Sequence, residues 1–384
     1  MKILLTVELY NPHKGGAEKV VEDLAKGLVE KGHDVTVATT YMKSRKSGNV
    51  GGVKIEQFKI KGNQATGIRG RKKEIERYRE LVLGGGFDVV FNYTAQSWPT
   101  DLTLPLLNEI NAVKILAPVG YSRLTSARYK MYFNTLPVYL SRYDKLVYHS
   151  DIYQDKIYGD ENGLAEKAVV IHNGALKSEF VDNGKIDVLR ELGIKTKYLL
   201  LNVSHHNFAK GHMFSIRAFR KMNRDDATLL IIGDRFASRG WRRLAHFFLD
   251  YIYCFVSSLL DSRIKLANDK NREFAISAYK SADLYLNGSM LECAPLVMYE
   301  SFASRTPFIT TDVGNVREHE KYLRIVESPR EMAKVANELL DDDKKRTEIS
   351  ESAFELWRTR HRAEEITDLY ERFFKELYES RSRA

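Results

Sequence analysis

Residues 289–300 read Ser-Met-Leu-Glu-Cys-Ala-Pro-Leu-Val-Met-Tyr-Glu, and the fold is decided here. Leu284–Asn287, just before, has the pattern of a buried strand. A turn over 288–294 and a helix over 295–303 follow, with Pro295 at the first helical position, where no N–H is needed and φ is already set. Strand–turn–helix geometry aims backbone N–H groups and about half a positive charge at the space above the turn. A phosphate suits that space. Glu292 flanks the helix start, and Glu300 lies up to about 12 Å away at about 1.5 Å per residue. That spacing suits a ligand with hydroxyls at both ends and a diphosphate between them, such as a nucleotide sugar. Read alone, two such acids also fit a solvated surface helix, so the rest of the chain has to decide.

At 384 residues the chain exceeds what one core usually fills, which predicts two domains. Its 43% hydrophobic and 29% charged residues place it among soluble globular proteins. The two cysteines, Cys254 and Cys293, predict neither a disulfide framework nor a metal cluster and fit a reducing cytosol. Residues 3–7 form an apolar run too short for a signal peptide, and no stretch reaches the roughly 18 uncharged apolar residues of a membrane span. A net charge of +9 permits nucleic acid, anionic lipid or phosphorylated ligands and selects none of them.

The first half alternates strands and helices. The run at 3–7 leads through Gly15-Gly16 into a helix with Val20, Val21, Leu24, Leu28 and Val29 at helical spacing, then a strand over 35–39. Such a βαβ unit predicts a parallel sheet. The two glycines let the backbone come close to a ligand at the helix N-terminus; neither a dinucleotide fingerprint nor a Walker loop is present. Further strands are expected over 53–58, 88–92, 114–117, 145–149 and 168–171. A polar linker is expected over 183–197, and a second parallel sheet starts at 198. Between 241 and 259, Trp241, Leu244, Phe248, Tyr251, Phe255 and Leu259 recur at three- and four-residue steps. Phe247, Ile252 and Val256 widen that face, predicting a buried or interdomain helix. Arg239, Arg242 and Arg243 at its start leave a membrane-surface or oligomer face as the alternative.

Several segments, in order, resemble the retaining GT4 glycosyltransferases. They are Gly15-Gly16, Asn173-Gly174, Lys210-Gly211, the E-x7-E pair Glu292 and Glu300, and Asp312-Val313-Gly314. The resemblance implies the GT-B fold: two Rossmann-like α/β domains facing across a cleft, with a C-terminal helix crossing back to the N-terminal domain. It places an acceptor-binding domain at 1–180, joined by 363–384, and a nucleotide-sugar domain at 181–362. It implies transfer of a sugar from a nucleotide diphosphate sugar to a hydroxyl acceptor, with retention and with neither cofactor nor metal. Glu292 would orient the sugar and Glu300 the ribose. Lys210 and the backbone amides of Leu296 and Val297 would hold the diphosphate, with Cys293, Ala294 and Pro295 lining the donor site and Gly15 and Gly16 approaching it.

The chain departs from the family pattern in four places. His205 stands where an arginine helps neutralise the diphosphate, Arg305 replaces a glycine, and His172 a proline. The family histidine after the strand at 114–117 is missing, leaving Tyr121 or Arg123 as candidates for its work. The expected partners are a nucleotide-sugar donor and a glycan or lipid-linked acceptor, with no nucleic acid. Two basic stretches, Arg69 to Lys73 and Arg128 to Lys130, are read as solvated helix faces or as contacts with an anionic membrane surface. The second reading would place a cytoplasmic enzyme peripherally on the inner face. Three rival readings are a GT-B nucleotide-sugar epimerase, a non-catalytic sugar-nucleotide binder and a basic nucleic-acid binder.

Overall fold

The computed structural model of the protein describes residues 1–182, 185–234 and 241–383, with the backbone alone at 182 and 241–248. It divides into two compact units, Met1–Asn173 with Ala363–Ala384, and Gly174–Arg362.

In the first unit, β1 (Lys2–Thr6), β2 (Asp34–Thr40), β3 (Asn49–Val50), β4 (Val53–Phe58), β5 (Val89–Tyr93), β6 (Val113–Ala117), β7 (Lys145–Tyr148) and β8 (Ala168–Val170) form one sheet. Its order is β3-β4-β2-β1-β5-β6-β7-β8. Every pairing is parallel except β3 with β4. Buried apolar clusters cover both faces, which is why the central strands read as continuous apolar runs instead of alternating. Helix Ala363–Arg383 belongs to this unit, as the resemblance implied: Tyr370 and Phe374 each bring their rings within 5.7 Å of Phe91. A β-carbon at Gly27 would lie 2.7 Å from the Thr367 methyl, so the final helix runs tight against helix Gly16–Glu30.

In the second unit, β9 (Tyr198–Val203), β10 (Ala227–Gly233), β11 (Ile264–Asn268), β12 (Leu284–Asn287), β13 (Phe308–Thr310) and β14 (Arg324–Ile325) are all parallel, in the order β11-β10-β9-β12-β13-β14. Counted from β9 this is the doubly wound order of dinucleotide-binding sheets. The direction of winding reverses between β9 and β12, where Leu200 faces Leu284. Ligands of open α/β sheets bind beyond the carboxyl ends of the strands at such a reversal.

Three expectations are corrected. The boundary falls at 173/174, so 174–180 joins the second unit: the Ala175 N–H donates to His361 O, and Trp357 Nε1 donates to Ala175 O. The expected linker carries helix Val188–Leu192 with Val188 buried; Asn183 and Gly184 lie outside the described residues. Helix Trp241–Leu260 turns Asp250, Cys254 and Ser257 inward, while Leu249, Ile252, Phe255, Val256 and Leu259 are exposed, the reverse of a buried apolar helix. Arg239 and the side chains of Trp241, Arg242, Arg243, Leu244, Phe247 and Phe248 lie outside the described residues. No described helix is long and apolar enough to cross a membrane.

Candidate active site

Two loops meet at the winding reversal of the second unit. The first follows β9. Asn207 caps a short turn, its side chain accepting from Ala209 N at 3.1 Å, and Gly211 ends that turn in the left-handed region at φ 67°. A β-carbon there would collide with the carbonyl of Gly288, so only glycine lets this loop touch the one after β12. Met290 N–H then donates to Ala209 O at 2.8 Å, tying the two loops backbone to backbone.

Contact between the loops brings Lys210 and Glu292 together, although 82 residues separate them: Nζ lies 2.8 Å from Oε1. Ser289 Oγ donates to the same carboxylate oxygen at 2.9 Å, and Thr311 Oγ1 donates to Ser289 O. Gly314, at φ 59°, closes the arrangement: a β-carbon there would strike the carbonyl of Cys293, so the loop after β13 lies directly on the turn.

Helix Leu296–Ala303 starts one residue later than expected. Pro295 is its N-cap, not its first residue, because its ψ of 118° is extended. No side chain caps this end, and its first turn contains no acid. The amides of Leu296 and Val297 therefore point beyond the helix with the positive end of its dipole. Cys293 and Ala294 lead into it, half-buried beside Glu292. Glu300, a helical turn farther on, is buried, and its Oε1 lies 2.6 Å from Arg272 Nη2. Arg272 also meets Glu179 Oε2 at 2.7 Å, so one guanidinium serves two carboxylates and fixes the Glu300 side chain.

His205 lies on the same β9 loop, with Nδ1 3.9 Å from Asp234 Oδ2 at the end of β10. The helix start after Gly15-Gly16 is occupied by a side chain of its own. Gly15 caps helix Gly16–Glu30 in an extended conformation, φ −170°, and the space its missing side chain leaves is filled by the Glu18 carboxylate, itself 3.2 Å from His13 Nδ1. Both glycines belong to the first unit, while Lys210, Glu292, Glu300 and 293–297 lie together in the second. Tyr121 drops out as a replacement for the missing histidine, because it is fully buried among Phe133 and Tyr158; Arg123 is exposed.

Sequence reasoning missed Arg272, which a lone arginine opening a helix does not announce. It also missed a buried group on the inward face of helix Trp241–Leu260. His206, His212, Asp250 and Cys254 each bring one ligand atom within 4.8 Å of the others, against the expectation that the cysteines imply no cluster. Burial alone would raise the Asp250 pKa, but N–H groups of His206 and His212 hold it at about 2. Burial and then Asp250 push the Cys254 thiol well above its usual range.

Comparisons with known proteins agree with this geometry. Residues 14–175 match the family model described as Glycosyltransferase Family 4, and residues 185–356 match that described as Glycosyl transferases group 1. An uncharacterized glycosyltransferase of Methanocaldococcus jannaschii is 26% identical over 344 residues, covering 84% of this chain and 83% of that protein. Among solved structures, sucrose-phosphate synthase from Thermosynechococcus elongatus superposes with a TM-score of 0.78 at 15% identity, over 99% of both chains. HepE of Anabaena, solved with UDP and glucose, gives 0.76 at 17% identity over 98% of this chain and 100% of that one. The paired family models meet near the boundary between the units, the first spanning β2 to β8 and the second β9 to β14. The chain therefore belongs to the group 1 glycosyltransferases of the GT-B fold.

Proposed function

We propose that the protein transfers a hexose from a nucleotide diphosphate sugar to a hydroxyl on a glycan or lipid-linked saccharide, keeping the anomeric configuration and using no metal in the reaction. The observation carrying this reading is the contact between Lys210 and Glu292 beside an uncapped helix start. A cation and backbone amides facing one space suit a departing diphosphate; a carboxylate at its edge suits the hydroxyls of a sugar. HepE, which shares the fold, is solved with UDP and with UDP-glucose, and this supports a UDP-type donor.

Lys210 moves from Glu292 to the phosphates when the donor arrives, and Glu292, still held by Ser289, accepts from the sugar hydroxyls. The Leu296 and Val297 amides face the charge that grows on the leaving diphosphate, and this differential stabilisation lowers the barrier. Glu300, clamped by Arg272, accepts from the ribose. His205 stands at the far side of the phosphates as a weaker substitute for arginine. Departure of the diphosphate and attack by the acceptor occur on one face of the sugar. Gly15-Gly16 approaches the donor only if Glu18 swings away. The first unit supplies the acceptor site. Met131 and Val138, exposed on helix Lys130–Leu140 beside Arg128 and Lys130, support an anionic membrane surface as the place where a lipid-linked acceptor is met, on the cytoplasmic side.

A panel of UDP-, GDP- and ADP-sugars with glycan and lipid-linked acceptors tests this, with the product's anomeric configuration read by NMR. Transfer with retention is expected. Donor binding without transfer or hydrolysis would favour a binding protein, and an altered sugar without acceptor an epimerase.

A further inference from the structure

The group formed by His206, His212, Asp250 and Cys254 lies outside the chemistry just described. His206 and His212 bracket the loop that carries Lys210. Asp250 and Cys254 stand four residues apart on helix Trp241–Leu260, so they project from one face. All four are at most 3% exposed. Both imidazoles turn Nδ1 to the same oxygen of Asp250, at 3.1 and 2.7 Å. Their opposite nitrogens meet Asn268 Oδ1 at 2.9 Å and Ser204 Oγ at 2.8 Å.

At these distances each Nδ1–H donates to Asp250, and the Ser204 hydroxyl serves the opposite nitrogen of His212. The same four side chains also bring two imidazole nitrogens, a carboxylate oxygen and a thiol sulfur within 4.8 Å of one another in the interior. A divalent cation replacing the shared protons would take both Nδ1 lone pairs, the carboxylate oxygen and a thiolate, while each Nε2–H donates to a neutral oxygen, the arrangement that orients metal-bound histidines.

We infer that these four residues form a closed structural zinc site. Two imidazoles, one carboxylate and one thiolate suit tetrahedral zinc, and two anionic ligands leave the buried site neutral. Bond lengths of about 2.0–2.3 Å need ligand atoms about 3.3–3.6 Å apart. The present contacts of 2.7 and 3.1 Å, within a group spanning 4.8 Å, bracket that value. Binding releases the Cys254 thiol proton to solvent. The ion would pin the loop after β9 to helix Trp241–Leu260 and so fix the backbone that presents Lys210.

The test is the metal content of full-length protein incubated with zinc and desalted, followed by cobalt(II) substitution. One zinc per chain is expected. The cobalt protein should show a near-ultraviolet sulfur-to-metal band that survives Cys293→Ser and disappears in Cys254→Ser. Asn268→Ala, which removes a supporting hydrogen bond, should weaken metal affinity about 10–100-fold in a chelator competition. Folded wild-type protein that binds no zinc would overturn the inference, as would a sulfur band that persists in Cys254→Ser.

Discussion

In the first unit, the helix after β1 has Gly15 at its N-cap and its own Glu18 folded back against that end; in the second, the helix after β12 has no acid in its first turn, and the turn before it holds Glu292 against Lys210. Both helices begin beyond the carboxyl end of a central strand in a doubly wound sheet. The difference is electrostatic. A carboxylate on the first helix already satisfies its positive end, whereas the second offers its amides together with the Lys210 cation. Two glycines before a helix suggest a phosphate site in sequence, but the residue three positions later decides whether the space is taken.

The contrast can be broken most sharply at Lys210. By analogy with the loss of one preorganised donor, Lys210→Ala should lower turnover about 10²–10³-fold, about 2.7–4 kcal/mol in the barrier. Stability should change by about 0–1 kcal/mol at most, because the pair with Glu292 is partly exposed. Steady-state kinetics and a thermal melt separate the two; a variant near wild-type turnover would end the assignment. Gly211→Ala comes next. Left-handed strain and a collision with Gly288 O together should cost about 2–4 kcal/mol in denaturant unfolding. A variant as stable as wild type would show that the two loops need not touch.

Acid sharpens the comparison within the first unit. Burial drives the His149 imidazole down to about 4 and the Asp101 carboxyl up to about 6. The unfolded chain protonates His149 from about pH 6.5 downward while the folded chain resists to about 4, so this residue costs stability as pH falls through that window. Asp101 does the opposite: the folded chain takes its proton near pH 6 and the unfolded chain near 3.8, so stability rises as pH falls between them. The two offset each other. Asp101→Asn leaves His149 uncompensated and should lose about 2 kcal/mol more than wild type between pH 6.5 and 4.5 in urea melts. Equal slopes would refute the pairing.

The smallest effect belongs to Gly15→Ala. At φ −170° an alanine carries no backbone strain, and only the end of the flexible Glu18 side chain has to move, so stability should change by less than about 0.5 kcal/mol. A loss as large as that of Gly211→Ala would remove the distinction between the loops.

Much of this was legible in the sequence, for physical reasons. Strands buried on both faces read as unbroken apolar runs, so β9, β12 and the first βαβ unit stand out. Glu292 and Pro295 follow from local strand–turn–helix chemistry, whereas Lys210 stood out through the family resemblance. Contacts set by distant closure did not show. Arg272 reaches Glu300 only because Arg272–Ser281 and Leu296–Ala303 are brought together around β12. The Glu18 fold-back depends on side-chain direction, which spacing does not carry. Helix Trp241–Leu260 misled because its apolar residues at 252, 255, 256 and 259 are exposed, while Asp250 and Cys254 take the inward face.

Binding of the diphosphate in the second unit is tested directly by calorimetric titration of UDP, GDP and ADP into wild type and Lys210→Ala. At least one nucleotide should bind wild type, and bind Lys210→Ala about tenfold or more weaker. Equal affinity for the two proteins, or no binding of any of the three to folded wild type, would contradict it.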